Sequence, residues 1–219
     1  MKRHTLTVEK TARYFLLGTP GVHIKHVVFV CHGYAQLASE FLASFECIAR
    51  DTFLVVAPEG LHRFYARGTT DRVVASWMTK EDRADDIHDY VGFLDKTYKT
   101  VMRGLPKDVK ITVLGFSQGA ATVSRWAALG NSRIGELILY CGFFPPDLPP
   151  AGIPESIGLT VVTASDDKYI SEEQEKFQLA AMRKTMPRLN HLRYTGQHEI
   201  DADILHRLFP GLRSHYGES

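Results

Sequence analysis

Three residue types in the C-terminal half of the chain combine into one chemistry. Ser117 lies in Gly115-Phe116-Ser117-Gln118-Gly119, a G-x-S-x-G pentapeptide, Asp166 and Asp167 follow "LTVVTAS", and His198 follows "HLRYTGQ". A serine hydroxyl is a poor nucleophile until a base removes its proton, and imidazole titrates near neutral pH. A carboxylate can orient that ring and stabilise its charged form. Serine, then acid, then histidine, each just beyond a strand, is the order expected when the nucleophile sits on a strand-to-helix turn. Helix capping is the other common use of a serine in such a place. Either aspartate is well placed to be the acid, and the other is then a turn or helix-entry carboxylate.

Acyl transfer also needs donors for the oxyanion. The residue after the nucleophile, Gln118, offers its backbone N–H, and the loop "CHGYAQLAS" offers that of Tyr34, where Gly33 allows a sharp turn. His32 in the same loop reads as structural. Asp85, His88 and Asp89 share a helix face, but a solvated surface explains them better than a metal site.

The elements that must position these residues follow from periodicity. "HVVFVC" and "TFLVVAP" are continuous apolar runs, as in strands buried on both faces. "VKITVLG", "IGELILYCGF", "LTVVTAS" and "HLRYTG" read as further strands, and "TLTVE" with "RYFLLG" as an N-terminal hairpin. Helices are expected in "SEFLASFECIAR", "DDIHDYVGFLDKTYKTVM", "QGAATVSRWAAL", "SEEQEKFQLAAMRKTM" and "IDADILHRLF". Thr79 with Asp82, and Ser171 with Gln174, have capping-box spacing. The stretch from Glu59 to Met78 is too long for a plain connector and reads as a site-forming loop. Strand–helix alternation implies a mostly parallel sheet covered by helices on both faces, in a single α/β domain over residues 1–219.

Composition narrows the partners. The chain has 219 residues, 44% of them hydrophobic, which is ample for a core, and a formal net charge of +1. That charge, with scattered basic residues, gives no reason to expect nucleic acid or an anionic membrane. No run approaches a membrane span, and the N-terminus lacks a signal-peptide core. Cys31, Cys47 and Cys141 have no metal-binding spacing and sit in apolar contexts, so they read as small buried hydrophobes in a reducing compartment, by default the cytoplasm.

The chain resembles the α/β-hydrolases, and within them the phospholipase/carboxylesterase family that includes acyl-protein thioesterases. The resemblance spans nearly the whole chain and rests on "HGYAQ", "APEG", "SWMTKEDRADDI", "GFSQGA", "SDDKYIS" and "GQHEI". The family's acid opens a D-x-x-[VI] pattern, which Asp167-Lys168-Tyr169-Ile170 fits, so the resemblance selects Asp167. Ala35 and Gln36 replace the family's frequent Gly and Asp, and Gln197 replaces a frequent Gly, changes that bear on pocket shape and not on the reacting atoms.

The resemblance implies a cofactor-independent serine carboxylesterase acting on a small-molecule acyl ester, with thioester or lysophospholipid hydrolysis as the alternative. No metal and no cofactor are expected, and the oligomeric state is left open. Only the Pro-rich "PPDLPPAGIPESIG" separates two consecutive strands, so no lid domain is expected. Trp77, Met78, Phe143 and Phe144 are candidates for an acyl-pocket wall. A non-catalytic binding module, or a haloperoxidase or lyase on the same scaffold, is the competing class, because fold does not fix function.

Overall fold

The computed structural model describes residues 1–148 and 152–210. Seven strands form one sheet: β1 (Tyr14–Leu17), β2 (His26–Cys31), β3 (Phe53–Pro58), β6 (Lys110–Phe116), β7 (Glu136–Tyr140), β8 (Gly158–Ala164) and β9 (Asn190–Tyr194). Their spatial order is β1-β3-β2-β6-β7-β8-β9, with β1 antiparallel to β3 and every other pairing parallel. All six residues of β2 and all six of β3 are buried, which is why those strands carry no polar alternation.

Successive side chains along the strands enter different layers. Val27, Phe29, Val113, Leu139 and Val161 face one core, shared with α2 (Arg83–Val101), α3 (Gln118–Leu129) and α4 (Glu172–Thr185). Val28, Val30, Phe116, Tyr140 and Val162 face the other, shared with α1 (Ala38–Ala43) and α5 (Ala202–Leu208). Because the six central strands are parallel, their C-terminal ends meet at one edge. Ser117, Asp167 and His198 all follow strand ends on that edge.

Several expectations are corrected. "TLTVE" forms no strand, and β1 pairs instead with β3. The helix expected over "SEFLASFECIAR" stops at Ala43, and a 3-10 turn (Glu46–Ile48) follows and leaves Cys47 exposed; Cys31 and Cys141 are buried. Thr79 does not cap α2, since the N-cap is Asp82, with no side-chain bond, and the Thr79 N–H is taken by Asp86 Oδ2 at 3.1 Å. The Ser171–Gln174 capping box does form. The segment from Glu59 to Met78 folds partly into an antiparallel pair, β4 (His62–Tyr65) and β5 (Val73–Ser76). Residues 149–151 of the Pro-rich connector lie outside the described residues; Leu148, Ile153 and Ile157 on either side of them are buried in the first core. No helix among the described residues is long and apolar enough to cross a membrane.

Candidate active site

Ser117 is the residue between β6 and α3, with φ 54° and ψ −116°. Positive φ is costly for a residue with a Cβ, on the order of 1–3 kcal/mol, and such strain gathers at functional turns. Its side chain makes no capping hydrogen bond, so helix capping does not account for it. The flanking glycines make the turn possible by close approach. A Cβ on Gly115 would stand 2.1 Å from Gly119 O, and one on Gly119 would stand 2.1 Å from Cys31 O. The Ser117 N–H donates to Tyr140 O at 2.9 Å, tying the turn to the neighbouring strand.

His198 Nδ1 lies 2.7 Å from Asp167 Oδ2. The other oxygen of that carboxylate accepts from the N–H groups of Tyr169 and Ile170, at 2.8 and 3.2 Å. These bonds fix the carboxylate within its own turn and leave one oxygen for the ring. Asp166 is exposed, with its backbone N–H donating to Gly196 O. The imidazole packs between two rings, 4.9 Å from Phe116 and 4.7 Å from Tyr169. Phe116 immediately precedes Ser117, so this ring contact sets His198 near the strained turn.

The loop carrying His198 is held from below. Tyr194 Oη lies 2.7 Å from the carbonyl oxygens of both Gln197 and Glu199, and Tyr140 Oη accepts from Asp201 N at 2.9 Å. Burial pushes both phenols up, so they remain hydroxyls. Cys141 sits beneath, its sulfur within a 4.8 Å cluster with Asp167 and His198 atoms. Burial pushes that thiol up to about 12, which keeps it neutral at physiological pH.

In the loop after β2, the Gly33 N–H donates to Gln36 Oε1 at 2.7 Å and the Ala35 N–H to Ala75 O at 2.9 Å. Among the described residues the N–H groups of Tyr34 and Gln118 have no acceptor. A Cβ on Gly33 would stand 3.3 Å from Ser117 Cβ, so this loop lies against the turn. His32 is fully buried, with Nε2 accepting from Gly60 N at 3.0 Å and Nδ1–H donating to Gly33 O at 2.7 Å. Burial holds its pKa down to about 4. Glu59, 2% exposed, accepts from Arg13 at 2.7 and 3.1 Å and from Ala38 N at 3.3 Å, joining β3 to the start of α1.

Of the four residues expected to wall an acyl pocket, two are buried in the core and two are half-buried. Trp77 is fully buried, because its indole N–H finds an acceptor inside, His32 O at 2.9 Å. Phe144 is buried, and Met78 and Phe143 pack against the first core. A cavity of about 280 Å³ instead opens on the α1 side, where Phe116 and His198 form part of its wall; none of those four lines it. Asp85, His88 and Asp89 are exposed on α2, as expected of a solvated face. The Gln118 amide, which sequence reasoning passed over, bonds Ser76, Trp77 and Met78.

No family model matches the chain, and no curated protein matches it. Solved structures do. An acyl-protein thioesterase 2 from Zea mays is 14% identical with TM-score 0.69, covering 90% of this chain and 96% of its own. A carboxylesterase from Mesorhizobium loti is 18% identical with TM-score 0.65, covering 91% and 95%. A phospholipase/carboxylesterase from Dyadobacter fermentans is 16% identical with TM-score 0.64, covering 95% and 99%. At these identities the likeness is one of architecture, and with its parallel sheet, two helical layers and serine turn the chain has the α/β-hydrolase fold.

Proposed function

We propose that the protein is a serine hydrolase that cleaves short-to-medium acyl esters through an acyl-enzyme. The observation that carries this reading is the His198–Asp167 contact of 2.7 Å, made by a ring packed against the residue before a strained serine whose side chain makes no capping bond. Nδ1–H donates to Asp167, which leaves Nε2 as the basic nitrogen. In the proposed cycle Nε2 takes the Ser117 proton as Oγ attacks the ester carbonyl. The resulting oxyanion accepts from the N–H groups of Tyr34 and Gln118. His198 then gives its proton to the departing alkoxide, releasing the alcohol. Water, deprotonated by the same nitrogen, attacks the acyl-serine and frees the acid.

The similar esterases and thioesterase favour ester or thioester bonds as the target class. We place small esters ahead of lysophospholipids because the cavity beside His198, about 280 Å³, is small for a lipid-derived group. On this reading the protein is a single-domain cytoplasmic enzyme that needs no cofactor, in keeping with its three free cysteines.

The test is hydrolysis of p-nitrophenyl acetate and octanoate by the wild type, Ser117→Ala and His198→Ala. Each variant should lose at least about a thousandfold in kcat while keeping the wild-type circular dichroism spectrum. Undiminished turnover by a folded Ser117→Ala protein would overturn the proposal.

A further inference from the structure

The cavity of about 280 Å³ beside His198 has a chemical character that the hydrolase reading leaves unused. Its wall contains two carboxylates, Glu40 and Glu199, together with Gln36, Ser44 and the rings of Phe116 and His198, and no lysine or arginine. Gln36 Oε1 is already committed to the Gly33 N–H. Among the described residues the side-chain carboxylates of Glu40 and Glu199, both exposed, have no ion-pair or hydrogen-bond partner. Two unneutralised carboxylates in one concavity focus a negative potential on whatever enters it.

The position fixes which half of an ester that is. The group that protonates the leaving oxygen must lie beside it, so the space walled by the His198 ring adjoins the alcohol side of the scissile bond. A water occupies roughly 30 Å³ of liquid, so the volume suits a fragment on the order of ten non-hydrogen atoms, not a lipid. Phe116 adds an aromatic surface of the kind that attracts a cation.

We propose that this cavity is the leaving-group subsite and selects esters of small cationic alcohols, with Glu40 and Glu199 as the specificity residues. The inference rests on the reading of Ser117 and His198 as the reacting pair. The carboxylates contribute attraction through partly hydrated space, so the preference they give is about tenfold, not thousands.

The experiment compares two acetyl esters of nearly equal shape, acetylcholine and uncharged 3,3-dimethylbutyl acetate, at low ionic strength. The kcat/KM ratio should favour the cation by about tenfold, and fall toward one in Glu40→Gln/Glu199→Gln and in high salt. A wild-type ratio at or below one, or a ratio that survives the double substitution, would overturn the proposal. Calorimetric binding of choline and of 3,3-dimethylbutanol to the intact protein separates this inference from the catalytic one. If neither of these esters nor p-nitrophenyl acetate is turned over, the hydrolase reading has failed, while tighter choline binding that the double variant loses still supports the subsite. Equal binding of the two alcohols counts against it whatever the hydrolysis result.

Discussion

The amide of Gln118 reaches across the site to Ser76, with Oε1 3.2 Å and Nε2 3.1 Å from the Ser76 hydroxyl. The same amide accepts from Trp77 N at 3.2 Å and donates to Met78 O at 3.1 Å, so one side chain fastens three consecutive residues to the first turn of α3. Among the described residues its backbone N–H has no acceptor. Gln118→Leu keeps the N–H and removes the fastening. The partly buried Trp77 N–H would then lack its acceptor, while Met78 O keeps the Ser76 hydroxyl at 2.9 Å, a loss of about 1–3 kcal/mol. We expect that loss in urea unfolding, together with about a tenfold fall in kcat/KM. Unchanged stability and rate would mean that segment 76–78 holds itself.

Two adjacent aspartates make an internal control. Asp167 is 2% exposed at its side chain and bonds His198, whereas Asp166 is exposed. Asp167→Asn keeps the shape but presents an amide to Nδ1, favouring the wrong tautomer, and should lower kcat by about 10³–10⁴. Asp166→Asn should stay within about twofold. Steady-state kinetics on one p-nitrophenyl ester decides the matter, and equal losses in both variants would contradict the assignment.

Much of this arrangement was legible in the sequence because its signals are local. Doubly apolar runs such as "HVVFVC" mark central strands, and a serine between glycines after "ITVLG" marks a strand-to-helix turn. The misreadings arise where tertiary partners outweigh local pattern. "TLTVE" alternates like a strand, but the edge beside β3 is already occupied by β1. Thr79 has cap spacing, yet the carboxylate of Asp86 takes its N–H first. Trp77 looked like a pocket wall because an aromatic in a long loop is usually exposed; the His32 carbonyl that buries it is 45 residues away. Glu40 and Glu199, which share the cavity, come from α1 and from the loop after β9, and no local pattern links them.

Acid sensitivity should follow from two buried histidines that have no part in the proposed proton transfers. Burial lowers both His26 and His32 to about 4, against 6.5 when exposed. Between those values the unfolded chain binds more protons than the folded one, so stability is fully present above pH 6.5 and declines as pH falls toward 4. The slope approaches about 1.4 kcal/mol per pH unit for each histidine. Urea unfolding at pH 7.5, 6, 5 and 4.5 should trace this decline, and His26→Gln, which can still meet the Thr112 hydroxyl that His26 contacts at 2.8 Å, should flatten it. A flat wild-type profile over that range would contradict the burial argument.

The two tyrosines beneath the His198 loop should have separable effects. Tyr194 Oη lies beside the carbonyls on both sides of His198, while Tyr140 Oη accepts from Asp201 N, three residues further on. Removing either oxygen takes a partner from part-buried backbone groups, Glu199 O for Tyr194 and Asp201 N for Tyr140, at about 1 kcal/mol each. Only Tyr194→Phe loosens the residue that must swing no more than a fraction of an ångström between Ser117 and the leaving oxygen. That variant should therefore lose about tenfold in kcat with KM nearly unchanged, whereas Tyr140→Phe should lose stability with kcat within about threefold. Paired kinetics and unfolding curves test this. Parallel losses in kcat would mean that the loop moves as one unit and that Tyr194 has no special hold on the histidine.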